Sequence, residues 1–284
     1  AKATSNSEFG YSGQPQAYLT KRVQKEWRLA NTVTYDKSKL LTKDDKLNVM
    51  LGQELTSSKY TDTNMTSVGF DKDTTIDQVL AQMGNGVALP TQTYIGINDN
   101  MSSFFGRLNY TLKDRYLLTA TLRADGSSRF SSGNRWGVFP SVALAWRINE
   151  EAFMRNSQDW LSNLKLRLSY GTAGNNRIDA SYMYTTYALA GTSDRTIYFN
   201  EAAAPMLQHG VMLANPGLKW ETTITRNLGV DFGLFNNRVT GSVDVYWNTT
   251  KDLLMRTTLP GASGYSYQYQ NIGQTSNKGI EFLT

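Results

Sequence analysis

Between Phe104 and Ala124, apolar and polar residues alternate almost without interruption. Phe104, Gly106, Leu108, Tyr110 and Leu112 alternate with Phe105, Arg107, Asn109, Thr111 and Lys113. Asp114 turns the chain. Tyr116, Leu118, Ala120, Leu122 and Ala124 then alternate with Leu117, Thr119, Thr121 and Arg123. A period of two places each set on one face of a strand. One face is almost purely apolar and the other carries charge. A wall with lipid on one side and water on the other accounts for this better than a soluble core or a helix does.

Extending this reading predicts about nine strands, near 18–37, 46–56, 103–113, 115–125, 135–148, 163–172, 217–234, 238–250 and 271–284. Connections of two lengths alternate. Those at 39–45, 113–114, 149–162 and 236–237 are short or compact, whereas 57–102, 126–134, 173–216 and 251–270 are mostly long. Short turns on one side and long loops on the other mark an outer-membrane barrel, with the short turns in the periplasm. The predicted fold is all-β, a fragment of an antiparallel transmembrane β-barrel.

Tryptophans support the same picture. Trp27, Trp136, Trp146, Trp220 and Trp247 share the apolar phase of their strands and fall near strand ends or at interface depth. They read as two membrane-interface girdles. Pro140 and Arg226 do not fit. Pro140 removes a ladder hydrogen bond and predicts irregular pairing. Arg226 has the lipid phase of Leu228, Val230 and Phe232, so either a bulge between 222 and 227 resets the phase or the side chain reaches an interface. Two short helices are expected. One covers 75–83 with Ile76, Val79, Leu80 and Met83 on one side. The other covers 149–154, with Asn149 as its cap.

Composition narrows the function. Over 284 residues there are 16 Tyr, 6 Trp and 23 Gly, a β-rich and turn-rich mixture. No apolar run reaches the roughly 18 residues of a transmembrane helix, and a barrel needs none. Without cysteine there is no disulfide or thiolate metal site. The net charge of +5 comes without basic runs interleaved with aromatics, so no nucleic-acid partner is expected. The one histidine, His209, cannot build a zinc or catalytic constellation. No enzyme, metal site or cofactor is expected. Asp44-Asp45 reads as a solvated turn, and Asp125-Gly-Ser-Ser-Arg129 as a compact turn after a strand.

The loops hold the binding candidates: Tyr182, Tyr184, Tyr187, Tyr198 and Phe199 in 173–216, and Tyr265, Tyr267 and Tyr269 in 251–270. Tyrosine offers a flat apolar face and a hydroxyl, suited to stacking on a sugar ring or gripping a peptide. Rigidifying the loops or meeting a partner is the plainer role for any one of them. Arg107, Arg123, Arg147, Lys165, Arg167, Asp231 and Asp244 face the lumen and wet the wall.

The blocks Phe104–Phe130, Trp136–Trp146, Leu164–Asn175, Asn215–Glu221 and Asn271–Phe282 together resemble the barrel of SusC/RagA-type TonB-dependent transporters. The resemblance runs from about Trp27 onward. It implies a 22-stranded barrel in the outer membrane of a Bacteroidota-type cell, bounded by outer-membrane lipid, with a plug in the lumen. It also implies a SusD-type surface lipoprotein as partner, energy from the TonB complex, and import of oligosaccharides or peptides. On this reading residues 1–284 are a partial barrel domain, with the plug and the C-terminal strands outside the chain. A passive porin-type channel would lack a plug, and a soluble or surface β-sheet binding module would fold in water without detergent.

Overall fold

The computed structural model describes residues 15–71, 73–157, 159–189, 197–199, 202–204 and 207–284. Among these, nine strands of an eleven-stranded sheet follow one another in chain order, and two short strands pair with the second of them. They are β1 (Ala17–Ser38), β2 (Lys46–Val68), β3 (Asp99–Leu112), β4 (Tyr116–Ser127), β5 (Trp136–Arg147), β6 (Leu161–Asn175), β7 (Glu221–Leu234), β8 (Val239–Lys251) and β9 (Gln274–Leu283). The described pairings from β3 to β9 are all antiparallel. Consecutive strands are neighbours throughout, the up-and-down order that short turns permit.

The described residues divide into two compact units, those within 15–27 and 57–99, and those within 28–56 and 100–284. In the first unit β2 continues to Val68, well past the expected end near 56. Gln92–Ile95 pairs with Thr61–Asn64, and Val87–Ala88 with Ser67–Val68, so part of the expected loop is sheet. Arg22 grips Asp62 with two hydrogen bonds of 2.7 Å and lies over the Tyr60 ring. The expected helix is present as α1 (Ile76–Ala81), opened by a capping box between Thr75 and Gln78. Its apolar side is narrower than expected. Val79 is buried with Ala17 and Phe70, and Met83 packs on them, but Ile76 and Leu80 are exposed.

In the second unit, register carries the apolar face across the sheet. One row reads Tyr110, Leu118, Leu144, Leu168, Leu228, Val245 and Ile280. The next reads Leu112, Tyr116, Trp146, Leu166, Val230, Val243 and Phe282. Pro140 keeps its place opposite Leu122 with no break in register between β4 and β5, but the ladder between β5 and β6 stops at Ser141, so the expected irregular pairing is on that side. No bulge lies between 222 and 227; the register of β7 with β6 shifts only at Gly233/Leu234, so Arg226 stays on the apolar face.

The short turns explain the tight pairing. Lys113 and Asp114 both have positive φ, as do the three residues Phe235, Asn236 and Asn237. Consecutive left-handed residues at the turn centre give the twist that matches a hairpin, and Asn and Asp tolerate that conformation best. Asp45 is not solvated as expected. It is buried, and its carboxylate accepts the N–H groups of Leu40 and Leu41 at 2.7 Å and of Thr42 at 3.3 Å, plus the Tyr110 hydroxyl at 3.1 Å. Burial raises the Asp45 pKa, but the three amides and the hydroxyl outweigh it and hold the net value below the ordinary one. Residues 149–154 form no capped α-helix. Two 3-10 turns stand there, Ile148–Glu150 and Ala152–Ser157, and the Asn149 side chain accepts from the Leu164 N–H instead.

Candidate functional site

The long loops of the second unit bring three of the predicted tyrosines together. Tyr182 stacks on Tyr269 with centroids 4.0 Å apart, and Tyr267 meets Tyr269 edge-on at 6.1 Å. Arg256 lies 3.9 Å from the centre of the Tyr267 ring. The frame is a small sheet in which Met212–Leu213 runs parallel to Tyr267–Asn271, which pairs antiparallel with Leu254–Thr258. Asn215 ties it to the neighbouring loop, donating to the Tyr269 carbonyl from its side chain and to the Tyr182 carbonyl from its backbone. Hydrogen bonding with Tyr269, reinforced by burial, pushes the Tyr182 phenol above its ordinary pKa. Both rings therefore serve the loop's own packing.

The other candidates separate. Tyr265 packs on His209, centroids 4.4 Å apart. Tyr184 and Tyr187 are 56% and 63% exposed, the open aromatic faces among the described side chains of this region. Tyr187 sits opposite His209 in a short ladder. Ile197–Phe199 pairs with Ala202–Ala204, but the side chains of Tyr198 and Phe199 lie outside the described residues.

Beneath the loops is an aromatic core that sequence reasoning missed. Phe130, Phe139, Ile178, Met183, Leu218 and Trp220 are buried together, and Tyr182 and Tyr269 pack against them. Trp220 touches Phe130 and Phe139, each with centroids at 5.4 Å, and donates its indole N–H to the Arg135 carbonyl. This corrects its assignment: Trp220 is 7% exposed and belongs to the core, not to a girdle. It precedes β7, so strand phase does not govern it. Gly137 and Gly174 leave room for Phe139, since a Cβ at either would lie within 2.4 Å of its ring. Asp125-Gly-Ser-Ser-Arg129 belongs to the same region. The Ser127 hydroxyl accepts from Asn176, and the Arg129 guanidinium donates to the Asn176 and Ile178 carbonyls. Asn271 closes the group by accepting the Lys219 N–H and donating to the Lys219 and Asp252 carbonyls. The blocks that carried the resemblance thus meet in space, which is the signal that would have revealed this core.

On the face opposite the apolar rows, Arg167 bridges two carboxylates, Asp231 at 2.7 Å and Asp244 at 2.9 Å, and Lys165 joins at 3.6 Å. Gly229 lies between Arg167 and Asp244 in register. Arg123 pairs with Asp125 at 2.7 Å, and Arg147 donates to the Asp114 carbonyl. Charge lies on the water-facing side, as alternation predicts.

Trp27, Trp136 and Trp247 are more than half exposed. Trp136 pairs with Phe104, centroids at 6.1 Å, on the side of the long loops. Trp146 stacks on Tyr116 beside the short turns. The Glu151 carboxylate ties that pair down, accepting from the Tyr116 hydroxyl, the Trp146 indole and Arg115. Those bonds, the Tyr116 bond foremost, hold Glu151 below its ordinary pKa against the opposing effect of burial.

The sequence matches the TonB dependent receptor-like, beta-barrel family over residues 2–284. This chain belongs to that family. It is 42% identical over 195 residues to the TonB-dependent receptor SusC of Bacteroides thetaiotaomicron, a match covering 68% of this chain and 19% of that protein. A TonB-dependent receptor of Formosa agariphila is 36% identical over 261 residues, covering 91% of this chain and 25% of the relative. The chain therefore spans about a fifth to a quarter of the length of these relatives. Among solved structures, the RagAB peptide transporter superposes with a TM-score of 0.75 and 28% identity, covering 99% of this chain and 29% of that one. As a TonB-dependent receptor barrel fragment of the SusC/RagA type, the sheet of β1 to β9 is outer-membrane wall.

Proposed function

We propose that this chain supplies part of the wall and outward loops of a TonB-dependent importer of oligosaccharides or peptides. Likeness to the RagAB peptide transporter over 99% of the chain carries this reading. Residues 1–284 are a portion of the barrel, and the plug and remaining strands belong to other parts of a longer protein. The TonB complex supplies energy through the plug, and a SusD-type surface lipoprotein meets the loops. Cargo crosses chemically unchanged. Exposed Tyr184 and Tyr187 are the best candidates for touching cargo or lipoprotein, with Tyr198 and Phe199 in the same excursion. Tyr182, Tyr265, Tyr267 and Tyr269 set the loop framework behind them. Trp27, Trp136, Trp146 and Trp247 anchor the wall at the membrane interfaces.

The test is uptake of labelled oligosaccharides and peptides by cells with and without the full-length gene, and with and without TonB. Loss of one cargo class in both deletions is expected. Uptake that survives loss of TonB would favour a passive channel and overturn the reading, as would unchanged uptake of both classes without the gene.

A further inference from the structure

One row on the apolar face breaks the pattern. Register aligns Val142, Tyr170, Arg226, Trp247 and Lys278 across β5 to β9. Toward the short turns, the next row on this face is wholly aliphatic: Leu144, Leu168, Leu228, Val245 and Ile280. Toward the long loops it becomes mostly hydroxylic, with Thr172, Ile224, Thr249 and Ser276. Across β6 to β9 the Arg226 row therefore marks the boundary between apolar and polar surface, whereas on β4 and β5 Leu122 and Val138 carry the apolar face further toward the long loops. Arg226 lies about nine residues from the short turn at Phe235, and about ten tilted residues cross the apolar band. That depth is the outer interface.

Arg226 sits between two aromatic rings there, its guanidinium carbon 5.1 Å from Trp247 and 5.9 Å from Tyr170. Its Nη1 is buried and has no hydrogen-bond partner. Lys278 stands on the far side of Trp247, and Trp247 itself is held by a hydrogen bond of 3.0 Å to Ser276. No acidic residue occurs in these three rows. Arg226 as a whole is only half-buried and Lys278 is exposed, so two cations without an acidic neighbour stand on a lipid-facing surface, which calls for an anion that the membrane supplies.

We propose that Arg226 and Lys278, framed by Tyr170 and Trp247, bind the phosphate of an anionic lipid headgroup on the outer surface of the barrel wall. The acyl chains of that lipid lie along Leu168, Leu228 and Val245. Arg226 is suited to the role because its planar fork offers several donors to one phosphate while its faces stay against the rings. The site requires only that these strands cross a membrane and is independent of the cargo.

The experiment uses the full-length protein containing this chain, purified in detergent. Its thermal unfolding is followed while phosphatidic acid, diacylglycerol with the same acyl chains, or inorganic phosphate is added. Phosphatidic acid should act at about tenfold lower concentration than diacylglycerol, the ratio expected for hydrogen bonds to a charged group. Inorganic phosphate should have no effect. Arg226→Gln with Lys278→Gln should remove the preference while keeping the heat-modifiable gel mobility of a folded barrel. Equal response of the wild type to both lipids, the same response to inorganic phosphate, or a folded double variant that keeps the preference would each overturn the proposal. Should the double variant fail to assemble, the wild-type lipid comparison and Lys278→Gln alone, expected to weaken the preference, still decide it.

Discussion

Tyr182 lies flat on Tyr269, with the ring planes 6° apart. The two residues are far apart in sequence and come from different long loops, so their stack joins segments that the wall strands alone leave independent. It also sits on the buried cluster of Phe130, Phe139 and Trp220, which continues the order of the wall into the loops.

Replacing Tyr269 with alanine removes that stack, worth about 0.5–1.5 kcal/mol beyond its buried area. Limited proteolysis should then cut within 173–216 and 251–270 faster, with the wall still assembled. Tyr184→Ala should leave the cleavage pattern unchanged and reduce uptake. Equal proteolysis of Tyr269→Ala and wild type would refute the framework role.

Gly229 faces crowded charge. A Cβ there would lie 2.4 Å from Asp244 Oδ1 and 2.7 Å from the Arg167 guanidinium. Gly229→Ala should push the ends of Asp244 and Arg167 aside and destabilise the barrel by up to about 1 kcal/mol, the scale of a partly exposed ion pair. The measurement is the urea midpoint of the folded band on unboiled gels.

Val243 lies between Val230 and Phe282 on the apolar face, whereas Ser242 lies opposite Asp231 on the other. Lysine at Val243 should cost about 2–4 kcal/mol if it faces the membrane midplane. Lysine at Ser242 should cost far less, because it gains a carboxylate neighbour and water. Assembly yields in the outer membrane distinguish them, and equal yields would refute the lipid-face assignment.

Asp45 and Glu151 predict acid sensitivity of the short-turn side. Both have folded-state pKa values below their ordinary 3.8 and 4.5. Each therefore stabilises the fold fully above those ordinary values and loses its contribution as pH falls through the depressed ones. Asp45→Asn should narrow the stability gap to wild type progressively below about pH 3.8 and leave it constant near neutrality. A gap unchanged down to pH 2 would contradict the capped carboxylate.

Alternation made the wall legible because lipid and water impose opposite demands on neighbouring residues. Leu118 and Thr119 could not exchange faces. The same logic failed where both faces meet water. Ser57–Val68 is mostly polar, with Tyr60, Met65 and Val68 its apolar positions, and reads as loop, yet it continues β2 with partners from 87–95. Phase also misplaced Trp220, whose burial depends on Phe130 and Phe139 from distant segments. Asp45 gave no sign of burial because its partners are backbone amides, which no composition reveals. The loop tyrosines were found as residues, but which of them pair was set by a tertiary frame invisible to spacing.

The pairs between β7 and β8 run unbroken from Thr222 to Leu234, and those between β6 and β7 run from Glu221 to Gly233 before their shift in register. A tug along these strands would load every rung at once, in shear, whereas peeling an edge would load them singly. Force applied through the interior of such a wall is spent on whatever yields first, and the ladder is the stiffest element in its path.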